Sequence, residues 1–281
     1  MHFEKRQSLP DALHAKILDL FKKYLIVGGL PDAVNTFVEQ RNVMAIRKIQ
    51  EDIHALYALD ASKYEKEHAR LKIQRIYNLI PSNLENRKKR IIAKSIEDKK
   101  GKRMTDYEDE FDYLISAGVA LEVRAIRVPS YPLMENCGKN LLKLYLNDVG
   151  LLTGLFFKNN IQAILQDVRS INLGSVYETV AQELRAHGFN LYYYDNKNNG
   201  EVDYLIDDAD QLTVLPLEIK SGKDYAIHSA LNKLLKIKEY NIHQGFVLSN
   251  EQKVYQENGI TYLPIYDIMF FEPGTKVVGG L

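Results

Sequence analysis

Residues Gly200-Glu-Val-Asp203-Tyr-Leu-Ile206, Asp207-Asp-Ala-Asp-Gln211 and Leu212-Thr-Val-Leu-Pro-Leu-Glu218-Ile-Lys220-Ser-Gly222 decide how this chain is read. Two apolar runs rich in Val, Ile, Leu and Tyr flank an acidic turn, the pattern of a β-hairpin. Side chains two apart on a strand share a face, so Glu201 goes with Asp203 and Glu218 with Lys220. The hairpin therefore gathers carboxylates and one ammonium. Burying such groups costs several kcal/mol per ion, and a divalent cation is the natural compensation for packed carboxylates. Pro216 cannot donate a ladder hydrogen bond, which points to a bulge or an edge position in its strand.

Around this hairpin the last part of the chain alternates helices and strands. A helix is expected over 175–187, a strand over 189–195 and a tight turn over 196–200. A crossover helix carrying Ile227, Leu231 and Leu234 follows, then short strands at 245–249 and 261–265. That order implies a mixed sheet with flanking helices. Tyr192, Tyr193 and Tyr194 read as strand packing.

The N-terminal part is helical. Leu13, Ile17, Leu20, Phe21 and Tyr24 lie at helical spacing, Gly28-Gly29 stops that helix, and Pro31 suits the first turn of the next. Val43, Ile46, Ile49, Ile53 and Leu56 mark a third helix. From about residue 60, three short helices are expected, with capping boxes at Ser82–Glu85 and Thr105–Glu108, followed by two strands around 119–123 and 142–146. Three helices and a two-stranded ribbon outline a winged helix. The expected fold class is thus α+β overall: helices over 1–59, a winged-helix-like domain over 60–147 and an α/β mixed sheet with flanking helices over 148–281.

Composition narrows the function classes. Thirty-seven basic and 37 acidic residues cancel, so nucleic-acid binding requires a local patch. Arg87, Lys88, Lys89 and Arg90 form such a patch and make DNA a candidate partner. Against this, the third helix of the winged-helix pattern carries Asp106, Glu108, Asp109, Glu110 and Asp112, which phosphates repel, so a protein-docking role stands beside DNA contact. The single cysteine, Cys137, excludes an intramolecular disulfide. No apolar stretch approaches bilayer length and the N-terminus lacks a signal-peptide core, so no membrane partner and a cytoplasmic location are expected. His54, His68, His187, His228 and His243 show no metal-ligand spacing.

In order and element type, Glu178 on a helix, Asp203 after Gly-Glu-Val, and Glu218-Ile-Lys220 resemble the motif of the restriction-endonuclease-like, PD-(D/E)XK, nuclease superfamily. The resemblance implies that Asp203 and Glu218 ligate Mg²⁺ or Mn²⁺ and that Glu178 holds the metal directly or through water. It implies that Lys220 orients or deprotonates the attacking water. Each residue also has a structural reading: Glu178 as the cap partner of Ser175, Glu218 and Lys220 as an ion pair, Asp203 as a turn residue.

Tyr24-Leu-Ile-Val-Gly-Gly-Leu-Pro-Asp-Ala-Val34, Tyr145-Leu-Asn-Asp-Val-Gly-Leu-Leu152 and the 200–222 hairpin are similar to the C-terminal region of prokaryotic AAA-type ATP-binding proteins. In that family an ATPase domain precedes helices, a winged-helix-like domain and a nuclease-like domain. This chain is expected to begin where the ATPase domain ends. It has no Gly-x-x-x-x-Gly-Lys-Ser/Thr loop, so ATP binding is not expected of it. Two functions follow as alternatives: a metal-dependent DNA phosphodiesterase, or a non-enzymatic DNA- or protein-binding module on a nuclease-like fold.

Overall fold

The computed structural model describes residues 7–60, 67–86, 89–158, 160–166, 173–221 and 226–274, with the side chains of all but 67, 68 and 138–140. The protein is mixed α+β, about half helix and a fifth strand. By contact it divides into two compact units, Met1–Asp19 with Val123–Lys139 and Ala181–Leu281, and Leu20–Glu122 with Asn140–Val180.

The second of these is mainly helical. Helix α1 (Asp11–Val27) enters it from residue 20 and stops at Gly28, whose φ of 76° suits a residue without Cβ. Pro31 then opens α2 (Pro31–Gln40), and the Asn42 side chain accepts from the Met44 and Ala45 N–H groups to start α3 (Val43–Asp60). Val27, Ala33 and Ile46 form a small core with Leu30, Val34, Phe37 and Ile49. Helix α4 (Glu67–Glu85) continues through Pro81, so Ser82 and Glu85 lie in its last turn and begin no helix. Short α5 (Ala93–Ile96) follows. Then a 3₁₀ turn over Met104–Tyr107 leads into α6 (Glu108–Ser116). Asp106, accepting from the Arg103 N–H, closes that turn in place of the expected Thr105–Glu108 pair.

The two motifs around Gly28 and Asp148 meet in this unit. Asp148 caps α7 (Val149–Phe157) by accepting from Leu151 N–H at 3.1 Å, and it accepts from Gly29 N–H at 2.7 Å. Beneath them lies Arg47, 4% exposed, which donates to the Ile26, Gly150 and Lys158 carbonyls, while Gln50 donates to Ile26 and Val27. The Ile26, Val27 and Lys158 carbonyls belong to or border the C-terminal ends of α1 and α7, where a cation offsets the helix dipole, whereas Gly150 lies in the first turn of α7. Burial lowers the Arg47 pKa to about 10. Helices α8 (Gln162–Leu165) and α9 (Gly174–Thr179) complete the unit.

The other unit is built on a mixed sheet. Its strands are β1 (Ala120–Ile126), β2 (Cys137–Leu146), β3 (Tyr192–Asn196), β4 (Gly200–Asp208), β5 (Thr213–Ile219), β6 (Gly245–Ser249), β7 (Tyr255–Glu257) and β8 (Ile260–Pro264), in spatial order β2-β1-β3-β4-β5-β6-β8-β7. The two strands expected to form a wing are the first two of this sheet, and the contact division cuts both. Strands β3, β4 and β5 are antiparallel neighbours, whereas β5, β6 and β8 run parallel. Helices α10 (Gln182–Ala186) and α11 (Ser229–Leu234) belong here; the single helix expected over 175–187 is broken between Thr179 and Gln182 into α9 and α10.

The core of this sheet joins Tyr192, Tyr194, Val202, Leu205, Val247 and Leu231. Residues alternating on β3 to β6 are buried on both sides, as the apolar runs of strands covered on two faces require. Pro216 lies in a central strand, not at an edge: it pairs with Leu205 on one side, and the β6 ladder starts only at Leu217.

Candidate metal and catalytic site

The irregularity falls on β4. Tyr192 pairs with Leu205 but Tyr194 with Val202, so two steps along β3 face three along β4, and the extra residue sits at Asp203–Tyr204. Such a bulge interrupts the ladder and re-aims side chains. On the opposite side of β4, the regular register ends at Tyr204↔Leu217, and its next step sets Asp203 against Glu218.

At that step side-chain carboxylates replace backbone carbonyls as acceptors. Asp203 Oδ2 accepts from the Ile219 N–H at 2.8 Å, and Glu218 Oε2 accepts from the Asp203 N–H at 3.4 Å. Lys220, two residues beyond Glu218 and on the same face, places its ammonium 2.6 Å from Glu218 Oε1. The Lys220 backbone is held independently, its N–H donating to Leu248 on β6 at 2.9 Å. Glu218 is 6% exposed, so its charge is committed to Lys220 and to β4. The sequence-expected Asp203, Glu218 and Lys220 are thus brought together in one place.

Two adjacent carboxylates supply hard oxygen ligands. Among the described residues no group of three or more His, Cys, Asp or Glu is arranged to hold a metal ion. A cation at Asp203 and Glu218 would therefore complete its shell with water and substrate oxygens, which is how Mg²⁺ is commonly bound.

Glu178 lies within the helical unit. It is 4% exposed; one carboxylate oxygen meets the Lys89 ammonium and the other accepts from the Tyr145 hydroxyl at 2.8 Å. Burial alone would push this carboxyl up, but the Lys89 and Lys143 ammoniums, with the hydrogen bonds from Lys89 and Tyr145, outweigh it and hold the group below the usual carboxylate range. Ser175 is not its capping partner: Ser175 lies inside α9 and its hydroxyl donates to Glu85 at 3.0 Å.

The basic patch is altered by the same contact. Arg87 and Lys88 lie outside the described residues, and Lys89 is turned to Glu178. Lys89 was read from its neighbours in sequence as a phosphate ligand, and only the fold reveals its acidic partner. Lys143, fully buried on β2, and Tyr145 were legible as strand residues but not as partners of Glu178.

Fold and site define a mixed α+β protein with an eight-stranded mixed sheet that sets two carboxylates and a lysine at the end of a central strand pair. Residues 18–162, just over half the chain, match the family described as Domain of unknown function (DUF8612), and the chain belongs to that family. Residues 173–268 match Domain of unknown function (DUF4143), a domain found in AAA-ATPase-associated proteins. No curated protein and no solved structure matches the chain. No helix among the described residues is long and apolar enough to cross a membrane.

Proposed function

We propose that this chain is the effector part of an AAA-ATPase-associated protein and that its nuclease-like sheet carries a metal-dependent phosphodiesterase site acting on DNA. The observation that carries the reading is the convergence of Asp203, Glu218 and Lys220 where the β4–β5 ladder ends. Asp203 and Glu218 would hold the cation, and their hydrogen bonds from Ile219 N–H and Asp203 N–H fix their orientation. Mg²⁺ or Mn²⁺, when bound there, would supply charge stabilisation to a phosphoryl oxygen and lower the pKa of a water. Lys220 steadies the developing charge on the phosphate and orients the attacking water. Glu178 stays a structural carboxylate, paired with Lys89.

The helical segment α4 to α6 is followed by β1 and β2 of the eight-stranded sheet. Glu108, Asp109 and Glu110 occupy the first turn of α6, so we read this segment as a protein-docking element and not as a groove reader. The second functional reading, a non-enzymatic module, draws on the Lys220–Glu218 pair, which satisfies Glu218 without a metal.

Plasmid nicking separates the two. Wild type with Mn²⁺ should convert supercoiled to open-circular DNA, and Asp203→Asn and Lys220→Met should abolish the conversion. Wild type that leaves the plasmid intact with both Mg²⁺ and Mn²⁺ would favour the binding module.

A further inference from the structure

We infer that the β3–β4 turn and α11 together form a rail for a nucleic-acid phosphate backbone, leading to the Asp203 site. The inference rests on the phosphodiesterase reading, and adds where the substrate lies. The turn Asn196–Gly200 is rigid: Asn196 Oδ1 accepts from the Asn198 and Asn199 N–H groups at 2.9 and 3.3 Å, and the Asn199 amide donates to the Tyr194 hydroxyl at 3.1 Å. It rests on α11, because a Cβ on Gly200 would lie 3.1 Å from the Ala230 Cβ.

Lys233 of α11 reaches over this turn, its ammonium 3.5 Å from the Asn198 carbonyl. Lys197, on the same turn, is exposed, and so is Lys236, two residues past the end of α11. Residues 196–200 contain no acid. The acids that flank the turn in sequence, Asp195 and Glu201, pair with each other across β3 and β4. Three residues of strand, about 10 Å, separate Gly200 from Asp203. A backbone lying on Lys197 and Lys233 therefore reaches the carboxylates within a few nucleotides. Ammonium donors at a fixed turn are groups that position phosphates without reading sequence. In the sequence patch at Arg87–Arg90, Lys89 is engaged by Glu178.

The test is fluorescence anisotropy of a 20-base-pair duplex with the full chain in EDTA, titrated across salt. Lys197→Ala/Lys233→Ala should weaken binding at least tenfold at low salt and flatten the log–log salt slope by about 1.8, two lost phosphates at about 0.9 each. Lys94→Ala/Lys99→Ala in the helical unit should change neither, and melting curves should show all three proteins folded. Unchanged affinity and slope in the Lys197/Lys233 variant, or no binding by wild type, overturns the rail. Metal-dependent nicking fails or survives separately: cleavage unaffected by the lysine variants would leave the site and remove the rail, whereas salt-dependent binding without cleavage would do the reverse.

Discussion

Asp203 and Glu218 are each bonded to the other's strand, Asp203 Oδ2 to the Ile219 N–H at 2.8 Å and Glu218 Oε2 to the Asp203 N–H at 3.4 Å. Two like charges so placed repel, by about 0.2–1 kcal/mol for a cross-strand pair. Asn at position 203 keeps an acceptor for Ile219 and removes that repulsion. Metal-free Asp203→Asn should therefore melt at or above wild type in a calorimetric scan with chelator. A lower melting temperature would mark the Asp203 charge as part of the scaffold that holds Ile219.

The Glu178 carboxyl is held below the ordinary carboxylate range, so it binds fewer protons in the folded chain than in the unfolded one. Its contribution is complete above the unfolded-state pKa and is lost as pH falls through the lowered folded value. Glu178→Gln should flatten the acid limb of stability, measured by urea denaturation between pH 3 and 7. Lys89→Ala should cost about 3–5 kcal/mol at pH 7, as removal of one partner of a buried pair does, less whatever Lys143 recovers.

Asp267, 8% exposed, has the opposite sign: burial raises its pKa from 3.8 to about 7. The folded chain then holds a proton that the unfolded chain has released, and stability falls as pH rises from about 4 to about 7. Asp267→Asn should match wild type in melting temperature near pH 4 and exceed it at pH 8. Equal melting at both pH values would show that Asp267 is ionised without penalty.

At Gly28 a Cβ would lie 2.1 Å from Asp148 Oδ1, on a backbone with φ of 76°. Gly28→Ala should lower the melting temperature more than Asp148→Ala, which loses a helix cap worth about 0.5–2 kcal/mol along with its bond to Gly29. Gly150→Ala meets the Val27 carbonyl at 2.6 Å and should behave like Gly28→Ala.

These positions show what the sequence does and does not disclose. The stop at Gly28-Gly29, the Pro31 start, the 196–200 turn and the β4–β5 hairpin were legible because each is set by local backbone chemistry. Glu218 and Lys220 were legible on one face from strand periodicity, whereas their grouping with Asp203 came from the resemblance to the nuclease motif and depends on the β4–β5 register. The bulge at Asp203–Tyr204 was not legible, since it depends on the register of β3 against β4, and Pro216 drew the expectation to the wrong strand. Ser82–Glu85 and Ser175–Glu178 match capping boxes by spacing, yet both fall inside or at the end of helices, where packing overrides the local signal. The partners of Glu178 lie about 90 and 33 residues away, beyond any periodic pattern.

The central claim is that Asp203 and Glu218 form a divalent-cation site, and isothermal titration of the metal-free chain with Mn²⁺ tests it most directly. The account predicts one saturable site per chain in wild type, lost in Asp203→Asn and in Glu218→Gln while both variants stay folded. It also predicts a higher wild-type melting temperature with metal, by the stabilisation RT ln(1 + [L]/Kd), about 2.7 kcal/mol at a hundredfold excess over Kd. A wild-type chain that takes up no Mn²⁺, or one whose uptake survives both substitutions, would contradict it.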